Sequence, residues 1–348
     1  MKSYCDTTIV LLLFVLSQFA IVCRAVGVNS ETQKACDWHI LAANLSSRVR
    51  SDHDVQHHKI PLLPAYWISL AENTDRHAHM EGLLKGSSAH HQGIGTHTRV
   101  DAIKPDSHGY RISKLEKPCN RNTEKDLAII LSHLSAMHRA VHAKDDSEYA
   151  LILEDDVYFP VSVDFRKVVE SAPSDFGILQ LVTTNSEALR TLHEGYSISH
   201  KSELWTRSLW TDKTKNGKYT LYWGAIGYIV NKKVIKRFID DVIEEDNKGG
   251  LSFKIVNSFN QNQCKRTKER PCILANCLFS DSYLYSGGGP TYVANFPLLT
   301  SGGVGLNSTT HQNQVSAHIE AFGIIDEFIS DMRRLPKYLK CAKKNRLD

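Results

Sequence analysis

Tyr149-Ala-Leu-Ile-Leu-Glu-Asp-Asp-Val-Tyr-Phe159 carries the chain from an apolar run straight into three consecutive carboxylates, Glu154, Asp155 and Asp156. The run Ala150 to Leu153 is too short for a helix and is bounded by charge on both sides, the pattern of a strand covered on both faces of a parallel sheet. Ligands of such sheets bind beyond the carboxyl ends of the strands. In extended backbone Glu154 and Asp156 point to one face and Asp155 to the other. Hard oxygen ligands at this spacing suit Mg²⁺ or Mn²⁺, which keep coordination positions for water and substrate phosphates. An exposed acidic turn that only caps the strand is the competing reading, so the rest of the chain has to decide.

Working outward, Glu124 to Val141 reads as a helix, with Leu127, Ile130, Leu131, Leu134, His138 and Val141 at helical spacing and Thr123-x-x-Asp126 as a capping-box start. Further upstream, Ala65-Tyr-Trp-Ile-Ser-Leu70 reads as a strand, followed by Asn73-Thr-Asp-Arg76 and a helix to about Leu84. Downstream come a short helix, a strand over Gly177 to Val182, and a mixed apolar, Gly-containing segment from Thr220 to Val230. Lys232 to Glu245 is amphipathic through Val234, Ile235, Phe238, Ile239, Val242 and Ile243 and is expected to be one helix. A last helix uses Val315, Ile319, Phe322, Ile325, Phe328, Ile329 and Met332 and ends before Pro336. Strands alternating with helices imply an α/β fold with a mainly parallel central sheet. At 348 residues, 42% hydrophobic, the chain has material for one large α/β domain or two smaller ones.

Net charge is only +4, which excludes a general affinity for nucleic acid. Lys2 followed by the apolar stretch Ile9 to Val22 and by Cys23-Arg24-Ala25 is a secretory-pathway entry signal, either cleaved or kept as the anchor of a type II membrane protein. Membrane contact is expected through this segment alone. Beyond it stand Cys36, Cys119, Cys264, Cys272, Cys277 and Cys341, an even set that favours disulfides in an oxidising lumen. Asn44-Leu-Ser46 and Asn307-Ser-Thr309 are sequons, making Asn44 and Asn307 candidate glycosylation sites. The expected organisation is a signal or anchor over 1–25, a stem over 26–60, the folded domain over 61–335 and a basic tail over 336–348.

Several separated segments then read together: Tyr66-Trp-Ile-Ser-Leu70 with Asp75-Arg76, Leu131-Ser-His-Leu134, Leu151-Ile-Leu-Glu-Asp-Asp156, Trp223-Gly-Ala-Ile-Gly-Tyr-Ile-Val230 and Asp281-Ser-Tyr-Leu284. In order and rough spacing they resemble glycosyltransferase family 25, which includes bacterial lipooligosaccharide galactosyltransferases and animal collagen hydroxylysine galactosyltransferases. The resemblance covers roughly residues 64 to 300. It implies a GT-A type fold, a Rossmann-like nucleotide-sugar domain, which the N-terminal entry signal would place in the lumen of the Golgi or endoplasmic reticulum. The implied reaction moves a hexose, galactose foremost, from a UDP-sugar to a hydroxyl of a glycan or glycoprotein, with inversion and with Mn²⁺ or Mg²⁺ as cofactor.

Carried over residue by residue, the resemblance makes Glu154, Asp155 and Asp156 the element that holds the metal against the donor diphosphate. Glu154 and Asp156 are the expected metal ligands, Asp156 first. Asp281 is the candidate base that deprotonates the acceptor. Ser69, Arg76, Ser132, His133, Asp155, Trp223 and Gly224 are the candidate donor-binding residues, Arg76 through charge-assisted bonds to phosphate and Gly224 by letting backbone approach the sugar. Blander roles stay open beside these: a helix-cap Asp281, a surface ion pair for Arg76, a backbone-bonded His133 and a core Trp223. A GT-A-like domain that has lost catalysis and serves as a binding or adhesion module is the alternative of a different class.

Overall fold

Leu63-Pro-Ala-Tyr-Trp-Ile-Ser69 is buried along its whole length and forms β1, the strand against which the acidic strand is laid. The computed structural model describes residues 60–104, 110–112, 124–160, 163–198, 205–208, 222, 224–253, 289–295, 297–301 and 319–327. After β1 (Leu63–Ser69) come α1 (Thr74–Leu84), α2 (Gly86–His91), β2 (Ile94–Asp101), β3 (Tyr110–Ile112) and α3 (Glu124–His142). The acidic strand is β4 (Tyr149–Glu154), followed by β5 (Val157–Tyr158), α4 (Phe165–Glu170), β6 (Ile178–Gln180), α5 (Ser186–Ile198) and β7 (Trp205–Arg207). Then come β8 (Gly227–Asn231), α6 (Lys232–Val242), β9 (Ile243–Glu245), β10 (Leu251–Phe253), β11 (Thr291–Ala294) and β12 (Thr300–Ser301).

Seven strands make the central sheet in the order β2-β1-β4-β8-β6-β11-β7. β1 runs parallel to β2 and β4, and β11 parallel to β6. β8 is antiparallel to both of its neighbours, β4 and β6, so those two run the same way as each other; β7 is antiparallel to β11 at the edge. Five strands thus share one direction, as the alternation of strands and helices required. The reversal of β8 has a functional result: the residues just before it, 224–226, lie at the same end of the sheet as the carboxyl ends of β4 and β6.

Side-chain alternation divides the core in two. Trp67, Leu151 and Leu153 pack on one face with Met80 and Leu84 of α1 and with Phe165, Phe176, Phe322 and Ile325. Tyr66, Ile68, Ala150, Ile152, Tyr228 and Val230 pack on the other, under Ile130, Leu131 and Leu134 of α3 and Ile235, Phe238 and Ile239 of α6. Burying each of these large apolar side chains is worth about 1.5–3 kcal/mol, which is what fixes α1 and α3 on opposite sides of the strand end that carries the acids.

The helix expected over Lys232 to Glu245 stops at Val242. Ile243 is extended, at φ −127° and ψ 132°, and pairs with Phe253 in an antiparallel hairpin of β9 and β10. Asp246 forces the reversal, its Oδ1 accepting the backbone N–H groups of Lys248 and Gly250, both at 2.8 Å, with Gly249 at φ +77°. An Asx turn competing with the helix for backbone bonds is the reason the apolar periodicity overran the helix. Residues 319–327 of the expected last helix are helical. Among the described residues no helix is long and apolar enough to cross a membrane. The proposed signal segment, the stem through residue 59, all eight cysteines, Asn44 and Asn307 lie outside the described residues.

Candidate functional site

β4 ends at Glu154, and Asp155 and Asp156 form a turn into β5. Strict alternation therefore holds for Glu154 and Asp155, on opposite faces, and no longer governs Asp156. The three carboxylates fan out from one strand end, each to a different set of partners.

Asp155 is buried and turns toward α1. β1 and β4 pair in register, Ile68 opposite Glu154, so Ser69 and Asp155 are neighbours at the strand ends. Ser69 Oγ donates to Asp155 Oδ2 at 2.6 Å and Asn73 Nδ2 donates to the same oxygen at 3.2 Å. Arg76 Nη1 lies 2.5 Å from Asp155 Oδ1 and 3.8 Å from Asp156 Oδ2. Arg76 comes from the first turn of α1, whose start three residues earlier at Asn73 puts both side chains over the same carboxylate.

Glu154 turns toward α3. His133 Nε2 is 3.2 Å from Glu154 Oε1, and His133 Nδ1 is 3.1 Å from the Tyr228 hydroxyl. His133 and Tyr228 are both buried. Burial first, and the Glu154 carboxylate second, pushes the Tyr228 phenol well above its ordinary value, so the hydroxyl keeps its proton. His133 thus faces the sheet, beneath Glu154.

Asp156 lies between the two. Its side chain is 24% exposed, yet Oδ1 is buried with no hydrogen-bond partner among the described residues. Burial and the neighbouring Glu154 raise its carboxyl to about 7, against the lowering influence of Arg76; Asp155 raises it further and a hydrogen bond with Ser301 of β12 lowers it. Ser301 reaches Asp156 because β12 pairs with β5, Ser301 opposite Val157.

The remaining rim is the segment before β8. Ile226 O accepts the Glu154 N–H at 2.8 Å, and Gln180 Nε2 donates to Gly224 O at 2.8 Å. Gly224 has φ +120°, and a Cβ there would stand 2.6 Å from Thr184 Oγ1 and 2.9 Å from Thr184 N. Its use is thus first a tight passage against Thr184 beside Glu154. Ser132 is placed differently from Ser69: its hydroxyl donates to Ala128 O at 2.7 Å and accepts Ile103 N–H at 2.8 Å, pinning α3 to the segment after β2. Trp223 and Asp281 lie outside the described residues.

Asn73, Tyr228 and Ser301 join the site without having been singled out. Asn73 and Tyr228 stand inside quoted motifs, where proximity to Arg76 and a polar tip in an apolar strand were the available signals. Ser301, in a two-residue strand far along the chain, left no signal.

Among the described residues no three His, Cys, Asp or Glu side chains form a ready-made cage for a metal ion. A divalent cation of the Mg²⁺ kind needs no such cage, being held by one or two carboxylates together with substrate phosphates. Asp156 Oδ1, without a hydrogen-bond partner among the described residues and with its carboxyl raised by burial and by the neighbouring Glu154, fits that demand. Asp155, already taken up by Ser69, Asn73 and Arg76, is the carboxylate least suited to it.

The acid-bearing strand end, shared between Arg76 at the start of α1 and the glycine-tight rim at Gly224, defines an α/β domain whose charged groups gather at the carboxyl end of its sheet. Residues 62–247, over half the chain, match the model of "Glycosyltransferase family 25 (LPS biosynthesis protein)", and the chain belongs to that family and is a glycosyltransferase. The match spans α1, β4, the Gly224 rim and α6. Among solved structures, an active-site mutant of LgtC is 12% identical with TM-score 0.31, covering 67% of this chain and 72% of that one. The mannosyltransferase PcManGT from Pyrobaculum calidifontis, in complex with GDP-Man and Mn²⁺, is 10% identical with TM-score 0.28, covering 89% of this chain and 91% of that one. No curated protein matches the chain.

Proposed function

We propose that this glycosyltransferase is a luminal enzyme of the secretory pathway that moves a hexose, galactose foremost, from a UDP-sugar to a hydroxyl of a glycan or glycoprotein. The single observation behind the site assignment is Asp156, a carboxyl raised to about 7 whose buried Oδ1 has no partner among the described residues while Glu154 and Asp155 stand beside it. Asp156 and Glu154 would hold Mn²⁺ or Mg²⁺. The bound cation would offset the charge growing on the nucleoside diphosphate as it leaves. Arg76, held by Asp155 within reach of Asp156, supplies fixed positive charge on the α1 side of the donor. The Gly224 rim lets donor approach backbone next to Glu154. Asp281 is the proposed base, taking the acceptor proton for in-line attack with inversion at the anomeric carbon.

The test is calorimetric titration of UDP into the full chain with and without Mn²⁺, on wild type and on Asp156→Asn. Cation-dependent binding that disappears in the variant supports the reading and leads to a screen of UDP-sugars for transfer. A folded wild type that takes up no UDP under any cation condition overturns it in favour of a binding module without turnover.

A further inference from the structure

Three buried or half-buried polar groups run in a line beneath the acid cluster, and the donor chemistry written for the carboxylates does not account for two of them. Tyr228 sits in the middle of the sheet, paired with Ile152 on one side and Gln180 on the other. Its side chain shares the α3 face with Ile152, and Glu154, two residues further along β4, is on that face too. His133 of α3 closes the gap, 3.1 Å from the Tyr228 hydroxyl and 3.2 Å from Glu154 Oε1. A polar pair placed this deep among Ile130, Leu131, Leu134 and Ile152 costs desolvation and contributes little apolar packing.

The direction of the hydrogen bonds follows from the inventory of donors. An ionised carboxylate only accepts, so His133 Nε2 carries the proton that Glu154 Oε1 takes. A ring that donates from Nε2 alone has a bare Nδ1, which can only accept. The Tyr228 hydroxyl, kept protonated by burial, is the donor to it. Each group sets the next, and the line ends on one oxygen of Glu154.

We propose that Tyr228 and His133 are positioning residues which hold Glu154 by Oε1 alone and so commit its Oε2 to the cation and donor diphosphate. The two residues touch neither substrate nor cation; they fix the ring tautomer and the carboxylate rotamer, the task that outer hydrogen-bond partners perform for ligating groups. The alternative is a polar pair that only fixes the seat of α3 on the sheet. The cation half of the proposal rests on the reading under Proposed function.

Two measurements separate the possibilities. In the full chain labelled with ¹⁵N-histidine, long-range proton–nitrogen spectra report the tautomer of His133, its signal being the one absent from His133→Gln. The expected result is a ring protonated at Nε2 and bare at Nδ1, with that fixed tautomer lost in Tyr228→Phe, a change of one oxygen atom. A wild-type ring protonated at Nδ1 overturns the proposal. The second measurement is Mn²⁺ affinity in the presence of UDP. Tyr228→Phe and His133→Leu should weaken it about tenfold, at the lower end of what loss of an outer-shell partner costs. His133→Gln, whose amide can still donate to Oε1, should recover most of it. Equal Mn²⁺ affinity in wild type, Tyr228→Phe and His133→Leu overturns this proposal alone and leaves the seat of α3 as the role of the pair. A wild type that takes neither Mn²⁺ nor Mg²⁺ in the presence of UDP overturns the reading under Proposed function, and the cation half of this proposal with it, whatever the tautomer.

Discussion

Arg76 is bonded to Asp155, Nη1 to Oδ1 at 2.5 Å, and the same nitrogen stands 3.8 Å from Asp156. One guanidinium therefore steadies two adjacent carboxylates that would otherwise repel. Arg76→Ala is expected to destabilise the chain by about 1–3 kcal/mol, below the full cost of breaking a buried pair because Arg76 is 27% exposed. Urea denaturation checks the loss. Added Mn²⁺ should restore part of it, since a cation replaces the missing positive charge; a deficit indifferent to Mn²⁺ would remove the link between Arg76 and a cation site.

Asp156 predicts a trade of stability for function. Its folded carboxyl is raised to about 7 from an ordinary 3.8. The neutral form is the one the fold favours, so its contribution is complete below about pH 3.8 and is lost as pH rises to about 7. Above that, the ionised group is a standing cost. Asp156→Asn should match wild type near pH 4 and exceed it by up to about 4 kcal/mol at pH 8 in metal-free buffer, while losing transfer. Thermal unfolding of both proteins across that range is the measurement. Saturating Mn²⁺ should narrow the gap at pH 8 by stabilising wild type alone.

Gly224 is needed for its missing side chain. With φ at +120° and Thr184 N 2.9 Å from where a Cβ would stand, Gly224→Ala has to move backbone, and Ile226 O is bonded to Glu154 N two residues on. The expected cost is about 1–3 kcal/mol, with UDP binding weakened because the rim shifts beside Glu154. Gly82 is the control: it is exposed in α1 and a Cβ there meets nothing within 4 Å. Gly82→Ala should stabilise by about 0.5–1 kcal/mol, and denaturation curves of the two variants should move in opposite directions.

The acid-bearing strand was legible because its signal is local: four apolar residues, then charge. The pairing of Ser69 and Arg76 with Asp155 follows from two adjacent parallel strands and the helix start after the first. The direction of β8 was not legible, because Gly227 to Asn231 reads the same up or down; only its pairing with β4 and β6 decides it. α6 overran its end for a related reason, as Ile243 keeps helical spacing while a turn at Asp246 three residues later claims the backbone. His133 was visible as a candidate but its role was not, since Tyr228 lies 95 residues away and meets it only across the fold. Contacts made at long range by single polar atoms leave no periodicity to read.

Ser69 and Ser132 should fail in different ways when truncated. Ser69 gives its proton to Asp155 at 2.6 Å, inside the acid cluster. Ser132 accepts the Ile103 N–H at 2.8 Å and donates to Ala128 O, a backbone clasp between α3 and the segment after β2. Ser132→Ala leaves the Ile103 N–H without this acceptor, at a cost of about 1–2 kcal/mol. Any fall in UDP binding should then track the unfolded fraction and recover on cooling. Ser69→Ala removes a hydrogen bond to a charged group, worth about 1.5–3 kcal/mol, and also frees Asp155 to turn. Its loss of Mn²⁺-dependent UDP binding should persist at temperatures where the protein is fully folded. Binding isotherms and circular dichroism at two temperatures decide it: identical recovery in both variants would make Ser69 a structural clasp like Ser132, and no recovery in either would move Ser132 to the donor.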